Sequence, residues 1–505
     1  MPAPLTQHAC EMNVYIRQEV RPLPRGGFMT RYLDNLADPD RQSRACILLC
    51  SLAVGFHLLM ELMALVCWPE LKDMYPQLDS AKGALAIAML LYGKAWRAPW
   101  MILLSLGYGW LVFVTWFNCG AEGMDAMERS FRRYQLVYLC LPALGLFLSR
   151  KRIGTFLRFF IAAWTLFYVG MSVASLYSAV TGEMVMALDG MQKIYIHPTA
   201  KRLYMMNYYT TSASYLCIAV LLAALGIALT RNRVGKVAYA LAIVPMLLAL
   251  SLTDGQTAFI TMGAAMGAGL GSLVVTALRR RQVKRPLRAL AFVSLALVGA
   301  VGSFLLMPKL VPVVYSVPAA VQEASLVATA QAEEEVAEEA EAEPVRAEHR
   351  ADTSLGFLSG REYVWRATLD MLAYRPEVLL TGTSPVYVMG DVEAFLPEDA
   401  PMSGYAHTHS IYLQILASAG LPGLIIALLV LALFARAAWR LFFFDGLAAW
   451  ERLVPVPALA IIAAETVECF TLLEVRSQTG AVLGLFIGLT CCLAARAVPA
   501  KKKAA

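Results

Sequence analysis

Long apolar runs alternate with short polar stretches along nearly the whole chain. The runs fall at 45–67, 82–94, 98–118, 134–149, 154–178, 211–230, 236–252, 256–278, 287–307, 411–435, 454–473 and 478–496. About 20 apolar residues in a helix span ~30 Å of hydrocarbon, and most of the runs approach that length. The second and fourth are short and suit re-entrant or strongly buried segments. A bilayer offers no water to backbone groups, so each run must satisfy its own hydrogen bonds as a helix. The pattern predicts an all-α integral membrane protein with about 12 transmembrane helices. Helices 1–9 are expected within 45–308 and helices 10–12 within 406–496, with a long outer loop over 309–405 before helix 10.

The polar stretches give these helices a direction. If segment 1–44 is cytoplasmic, the loops on that side hold Lys94 and Arg97, then Arg150, Lys151 and Arg152, then Arg231, Arg233 and Lys236. Arg279, Arg280, Arg281, Lys284 and Arg285 follow, then Arg436 and Arg440, and the basic tail 497–505 closes with Lys501, Lys502 and Lys503. Each of these loops is basic, which is the positive-inside pattern and predicts both termini in the cytoplasm. Arg129, Arg132 and Arg133 fall on the other side and depart from it. The first residues are polar and arginine-bearing, so a cleavable signal peptide is not expected.

Composition strengthens the membrane reading. Of 505 residues 59% are hydrophobic and 16% charged, against about a quarter charged in a soluble chain. The net charge of +6 gathers at the ends of the apolar runs. It therefore points to helix orientation and membrane lipid as a partner, not to nucleic acid. The ten cysteines show neither metal spacing nor a disulfide framework. Asp38-Pro39-Asp40 reads as a turn, and no metal or other cofactor is expected.

Two outer loops are long. Residues 179–210 carry Lys193, His197, Lys201, Arg202 and several tyrosines. Within the second loop, 319–352 is acidic and of low complexity, with Glu333, Glu334, Glu335, Glu338, Glu339, Glu341 and Glu343 among alanines. It reads as a solvated spacer, with a marginal exposed helix as the other possibility. The part over 355–405 differs. Val364, Trp365, Leu369 and Leu372 stand at helical spacing in 361–374, and Pro376 closes the segment, so an amphipathic surface helix is expected.

Candidate chemistry gathers where the chain enters the tenth crossing. His407 and His409 stand there, with Thr408 a plausible N-cap. The positive end of a helix dipole disfavours a protonated imidazole, and a neutral one can accept a proton, so His409 suits a general base. Further along, Gly420 and Gly423 allow close helix packing, and Pro422 kinks the crossing. Arg361 opens the predicted surface helix, where the dipole opposes a cation. That mismatch hints at a task other than helix stability.

Together these residues resemble the O-antigen ligase and polymerase family of bacterial membrane proteins. The family's pattern is His, then Asn, Ser or Gln, nine residues, then Gly-x-x-Gly. Here it is met by His409, Ser410, nine residues and Gly420-Leu-Pro-Gly423, with Tyr412, Leu413 and Gln414 also similar. Upstream, Arg361, Trp365, Pro376 and Gly382 match the loop pattern, with Ser384 in place of its second glycine. The resemblance covers roughly 235–435. One departure stands at the junction of the seventh and eighth crossings, where Asp254 and Gln256 occupy the place of an expected arginine.

The resemblance implies a GT-C-like fold in the bacterial inner membrane. It also implies transfer of a glycan from an undecaprenyl-pyrophosphate carrier to a glycan or lipid acceptor. His409 and Arg361 would be catalytic; His407, Ser410, Gln414, Arg366, Lys201, Arg202, Gln256 and Asp254 would contact substrate, and Gly420 and Gly423 would pack helices. Chemistry argues the same way. A pyrophosphate leaving group needs cations, not an acid, and the acceptor hydroxyl needs a base. Neither need calls for a metal, and a single displacement would invert the anomeric centre. Glu465 and Glu468 in the eleventh run either line the glycan cavity or pair with a buried partner. Two other readings stay open: a lipid-linked sugar transporter, which would show repeated half-folds, and a transferase with a protein acceptor.

Overall fold

A computed structural model describes residues 98–148, 150–186, 193–197, 202–205, 209–329, 361–397, 408, 410–444, 446–468 and 478–497. Segment 1–44, the runs at 45–67 and 82–94, the acidic stretch beyond Thr329 and the lysines of the tail lie outside the described residues. In chain order the elements begin with α1 (Pro99–Tyr134), a π-helical stretch (Gln135–Cys140), α2 (Leu141–Phe147) and α3 (Arg150–Thr181). Strands β1 (Val185–Met186), β2 (Lys193–Ile196) and β3 (Leu203–Met205) follow. Next come α4 (Tyr209–Leu229), α5 (Arg233–Ser251), α6 (Gln256–Arg280) and α7 (Arg285–Thr329). The last elements are α8 (Arg361–Tyr374), α9 (Val378–Thr381), α10 (Val388–Glu393), α11 (Ile411–Phe443), α12 (Ala449–Leu453), α13 (Pro455–Glu468) and α14 (Gln478–Ala497).

Among the described residues seven helices are long and apolar enough to cross a membrane. They are Pro99–Met127, Arg152–Thr181, Ser212–Leu229, Arg233–Ser251, Gln256–Arg280, Arg285–Ser316 and Ile411–Phe443. The runs at 134–149 and 478–496 become shorter apolar helices, Val137–Leu146 and Gly480–Arg496. The chain is thus a mostly helical membrane protein. Helix α7 continues past the expected start of the outer loop at 309, to Thr329. An apolar run measures the hydrocarbon thickness, not the helix, and this helix outlasts its run.

Burial sorts the helices. In α4, 83% of the apolar window is buried, and it packs against α3, α5, α6, α12, α13 and α14. In α7 only 6% is buried, so among the described residues its apolar surface is open to lipid. Its contact with α6 is made by glycine. A Cβ on Gly263 would stand 2.1 Å from the Gly299 carbonyl oxygen, and one on Gly267 would stand 2.2 Å from that of Leu295. Gly484 and Gly488 let α14 approach Val137 and Pro142 as closely, 2.1 Å in each case. Small residues of this kind let helix backbones meet where lipid supplies no hydrophobic drive.

Arginines close the helix ends at one end of the bundle. Arg452 donates from Nη1 to the Phe442 carbonyl at 2.8 Å and from Nη2 to that of Phe444 at 2.6 Å. Arg279 donates to the Phe443 carbonyl at 3.1 Å, and Arg496 donates to the carbonyls of Leu148 and Gly145. The last carbonyls of α11 and α2, orphaned by helix geometry, are met in this way.

The opposite end carries the small sheet, the β-structure among the described residues. It is antiparallel, with Ile194 opposite both Val185 and Met205, and Tyr195 opposite Tyr204. Ile194, Leu203 and Met205 are buried. Tyr195, His197 and Tyr204 make ring contacts with one another on the other face. Ser212 of α4 holds β3 by donating to the Met205 carbonyl and accepting its N–H, both at 2.8 Å.

Candidate active site

The head of α11 is fixed by its own side chains. Ser410 is the N-cap residue, with extended backbone at φ −151° and ψ 116°. Thr408, expected to cap, instead donates its hydroxyl to the Ser410 carbonyl at 3.0 Å. Its N–H reaches the Gln414 side-chain oxygen at 2.9 Å, while the Gln414 N–H meets the Ser410 carbonyl at 2.8 Å. Thr408, Ser410 and Gln414 are all buried. Gln414, expected to bind substrate, thus spends its amide oxygen on the chain that leads into the helix. His407, His409 and Lys201 lie outside the described residues, but the two neighbours of His409 in sequence are pinned.

Ten residues into α11 the helix breaks. Gly420 has φ 67° and ψ −174°, a conformation open to glycine almost alone. Pro422 has no N–H to offer the Ser418 carbonyl. Donors from elsewhere meet this turn. The N–H of Thr383 reaches the Ala417 carbonyl at 2.8 Å and that of Ser384 reaches Ser418 at 3.0 Å. The indole N–H of Trp110 in α1 reaches the Ala419 carbonyl at 2.7 Å. Gly420, expected to allow close helix packing, lies against the short helix α9, where a Cβ would stand 2.8 Å from the Leu380 carbonyl oxygen. Gly423 leaves room for the Trp110 ring, 3.5 Å from where its Cβ would be.

The loop side of this clamp is equally exacting. Gly382 has φ 70° and ψ 179°, and a Cβ there would stand 2.4 Å from the Ser418 backbone. Asn118 of α1 donates to the Gly382 carbonyl at 3.1 Å. Ser384 is fully buried at φ 88°, in the region that favours glycine. Its hydroxyl donates to Thr115 at 3.3 Å and accepts the Val386 N–H at 3.2 Å. The serine that replaces the family's second glycine therefore accepts backbone strain and gains two polar contacts.

Helix α8 spans the segment expected from sequence and opens at Arg361. Its buried face is Val364, Ala367, Thr368, Met371 and Leu372, and Leu369 is 53% exposed. The expected apolar face is therefore turned by about one residue. Val364, Ala367, Met371 and Leu372 form one cluster with Val378, Val388, Val392 and Ala417 of α11. Arg375 joins α8 to α10 through Asp391 at 3.0 Å. Arg366 lies on the exposed face, 86% open and 3.8 Å from Asp370. The Trp365 indole nitrogen, one turn from Arg361 in sequence, is buried with no partner among the described residues.

At the departure from the family pattern, Asp254 holds an arginine from another segment. Asp254 sits in the α5–α6 turn at φ 53°. Its Oδ2 accepts from Nε and Nη2 of Arg202 at 3.1 and 2.8 Å. Leu203, next to that arginine, donates its N–H to the Leu252 carbonyl at 2.8 Å and ties the sheet to the same turn. An arginine does reach this junction, arriving from the sheet rather than from α6. Gln256 begins α6 half-buried.

Sequence reasoning misses Trp110, Thr115 and Asn118, whose signal is hydrogen-bonding side chains spaced within one apolar run. Among the described residues no group of three or more His, Cys, Asp or Glu could hold a metal. Between α1, α11 and α14 an apolar groove descends from Ile411 and Tyr412 past Ile415 and Ala427 to Leu431.

No individual curated protein is similar enough to the chain to count as a match. Asp254, Gly382, Ser384 and the break in α11 at Gly420 lie within one stretch that has a family, while their partners Trp110, Thr115, Asn118 and Arg202 come from before it. Residues 218–428, from within α4 into α11, match the family model described as O-Antigen ligase (Wzy_C), which puts this region of the chain in an O-antigen ligase-related family.

Proposed function

We propose that the protein transfers a saccharide from an undecaprenyl-pyrophosphate carrier to a glycan or lipid acceptor in surface polysaccharide synthesis. The basic loops make the arginine-rich end cytoplasmic, so the clamp end is the outer face of the inner membrane. The acceptor hydroxyl attacks the anomeric carbon, and its proton passes to the His409 imidazole. The bond from that carbon to the diphosphate oxygen breaks, and the diphosphate leaves with the electron pair. Arg361 takes up the charge that develops on it. One displacement inverts the anomeric centre, with no metal taking part.

The observation that carries this reading is the clamp. Helix α8, which Arg361 opens, shares a buried cluster with α11, whose head follows His409. The Trp365 indole N–H, without a partner among the described residues, is a further donor for a substrate oxygen. The apolar groove from Tyr412 to Leu431 runs along α11 and offers a seat for an isoprenoid chain. Arg202, oriented by Asp254, is a second cation for the diphosphate. A transporter reading is weaker, because unwound helices in transporters turn free carbonyls toward a cavity. Here the carbonyls at the α11 break are taken by Thr383, Ser384 and Trp110.

The test feeds purified protein a lipid-linked glycan with candidate lipid, glycan and protein acceptors, and asks which acceptor gains mass. His409→Ala is expected to abolish transfer with normal protein level, a loss of at least about 100-fold. Undiminished transfer by that variant would sink the proposal, and mass gain on a protein acceptor alone would move it to a protein transferase.

A further inference from the structure

At the arginine-rich end a second cavity of about 610 Å³ opens between α1, α2, α11 and α14. Leu433, Arg436, Ala437 and Arg440 supply one wall from a single face of α11. Trp100 and Leu146 stand among its apolar lining, and no carboxylate lines it among the described residues. Arg436 and Arg440 are one turn apart, about 6 Å of helix rise, so the two like charges repel.

Comparison with nearby arginines makes the pair unusual. Arg452, Arg279 and Arg496 each hold carbonyl oxygens at helix ends. The guanidinium groups of Arg436 and Arg440 make no hydrogen bond or ion pair among the described residues, although both residues line the cavity. Two guanidinium groups on an apolar-walled cavity at headgroup depth complement a phosphodiester, which accepts bidentate hydrogen bonds from each. The surrounding alanine, leucine and tryptophan suit the first carbons of acyl chains. Basic pockets between transmembrane helices are of the kind that hold anionic lipid headgroups.

We propose that this cavity binds the phosphate headgroup of an anionic glycerophospholipid through Arg436 and Arg440. The site is separate from the clamp and does not depend on the transfer reaction. Binding the folded state alone would stabilise the bundle by mass action.

Full-length protein in neutral detergent is titrated with phosphatidylglycerol, phosphatidylcholine or inorganic phosphate while thermal unfolding is followed. Phosphatidylglycerol is expected to raise Tm saturably, with little effect from the other two. The double variant Arg436→Gln/Arg440→Gln should need about tenfold more phosphatidylglycerol or above for the same rise. Arg436→Lys/Arg440→Lys should fall between the two, because lysine keeps the charge and loses the fork. An equal response from the Gln variant, or an equal effect of phosphatidylcholine, overturns the proposal. A full effect of inorganic phosphate alone replaces the lipid by a free anion and overturns it as well. Should the Gln variant fail to fold, native mass spectrometry of the wild-type protein decides. Retained phosphatidylglycerol supports the site, and retention of zwitterionic lipid alone overturns it.

Discussion

Glycine does two different jobs in this molecule. Between α6 and α7, Gly263, Gly267 and Gly299 stand in intact helices and let two backbones approach. At the clamp, Gly382 and Gly420 hold extended, left-handed backbone that breaks the chain's regular path. The first kind spares each helix its own hydrogen bonds. The second kind diverts them, so that carbonyls of α11 meet donors from the loop and from α1. A glycine stripe in a membrane helix therefore signals close packing, whereas glycine beside proline signals a place where a helix can be joined to something else.

The sharpest way to break this comparison is to add one methyl group to each kind. Gly382→Ala meets both a backbone clash at 2.4 Å and a conformation closed to alanine. The conformational strain alone costs roughly 1–3 kcal/mol, and the bonds from Thr383 and Ser384 leave no slack. It is expected to lower thermal stability and transfer activity together. Gly263→Ala meets a 2.1 Å clash only, and α7 faces lipid and can slide away. Its stability loss should be smaller, with activity largely retained. If Gly263→Ala proves the more damaging to activity, the contrast fails.

Trp110→Phe sharpens the clamp side. It keeps an aromatic ring but removes the pyrrole edge beside Gly423 and the N–H that meets the Ala419 carbonyl at 2.7 Å. An unsatisfied buried carbonyl costs about 1–3 kcal/mol, read as a drop in Tm and a reduced turnover. Unchanged Tm would mean that the turn finds another donor.

Ser384→Gly should have the smallest effect. It relieves the strain at φ 88° and loses the contacts to Thr115 and Val386. The two terms offset to within about 1 kcal/mol, so stability should hardly change. A large loss would make the serine hydroxyl, not the backbone, the reason this residue replaces glycine.

Much of the architecture is legible in the order of the amino acids. The helix over 361–374, its stop before Pro376 and the break in α11 near Pro422 each follow from local chemistry. Thr408 and Leu369 mislead, since a cap and a buried face depend on where the next element lies. Gln414 looks like a ligand for substrate because it is polar at the head of a crossing. Its oxygen turns back to Thr408, a partner that spacing alone does not reveal. Asp254 looks like a missing cation, and the arginine it holds stands just before β3, 52 residues earlier.

By itself the sequence determined that the chain is helical and enters a membrane. Hydrocarbon imposes its rule on each segment separately, and a run of apolar residues obeys it without reference to any other. Basic loops likewise act one at a time. Only the tertiary structure decided which donors meet the opened turn of α11 and which arginine reaches Asp254. Trp110 and Ala419 are 309 residues apart. A hydrogen bond is settled by distance and direction between two groups, and no local pattern in either segment names the other.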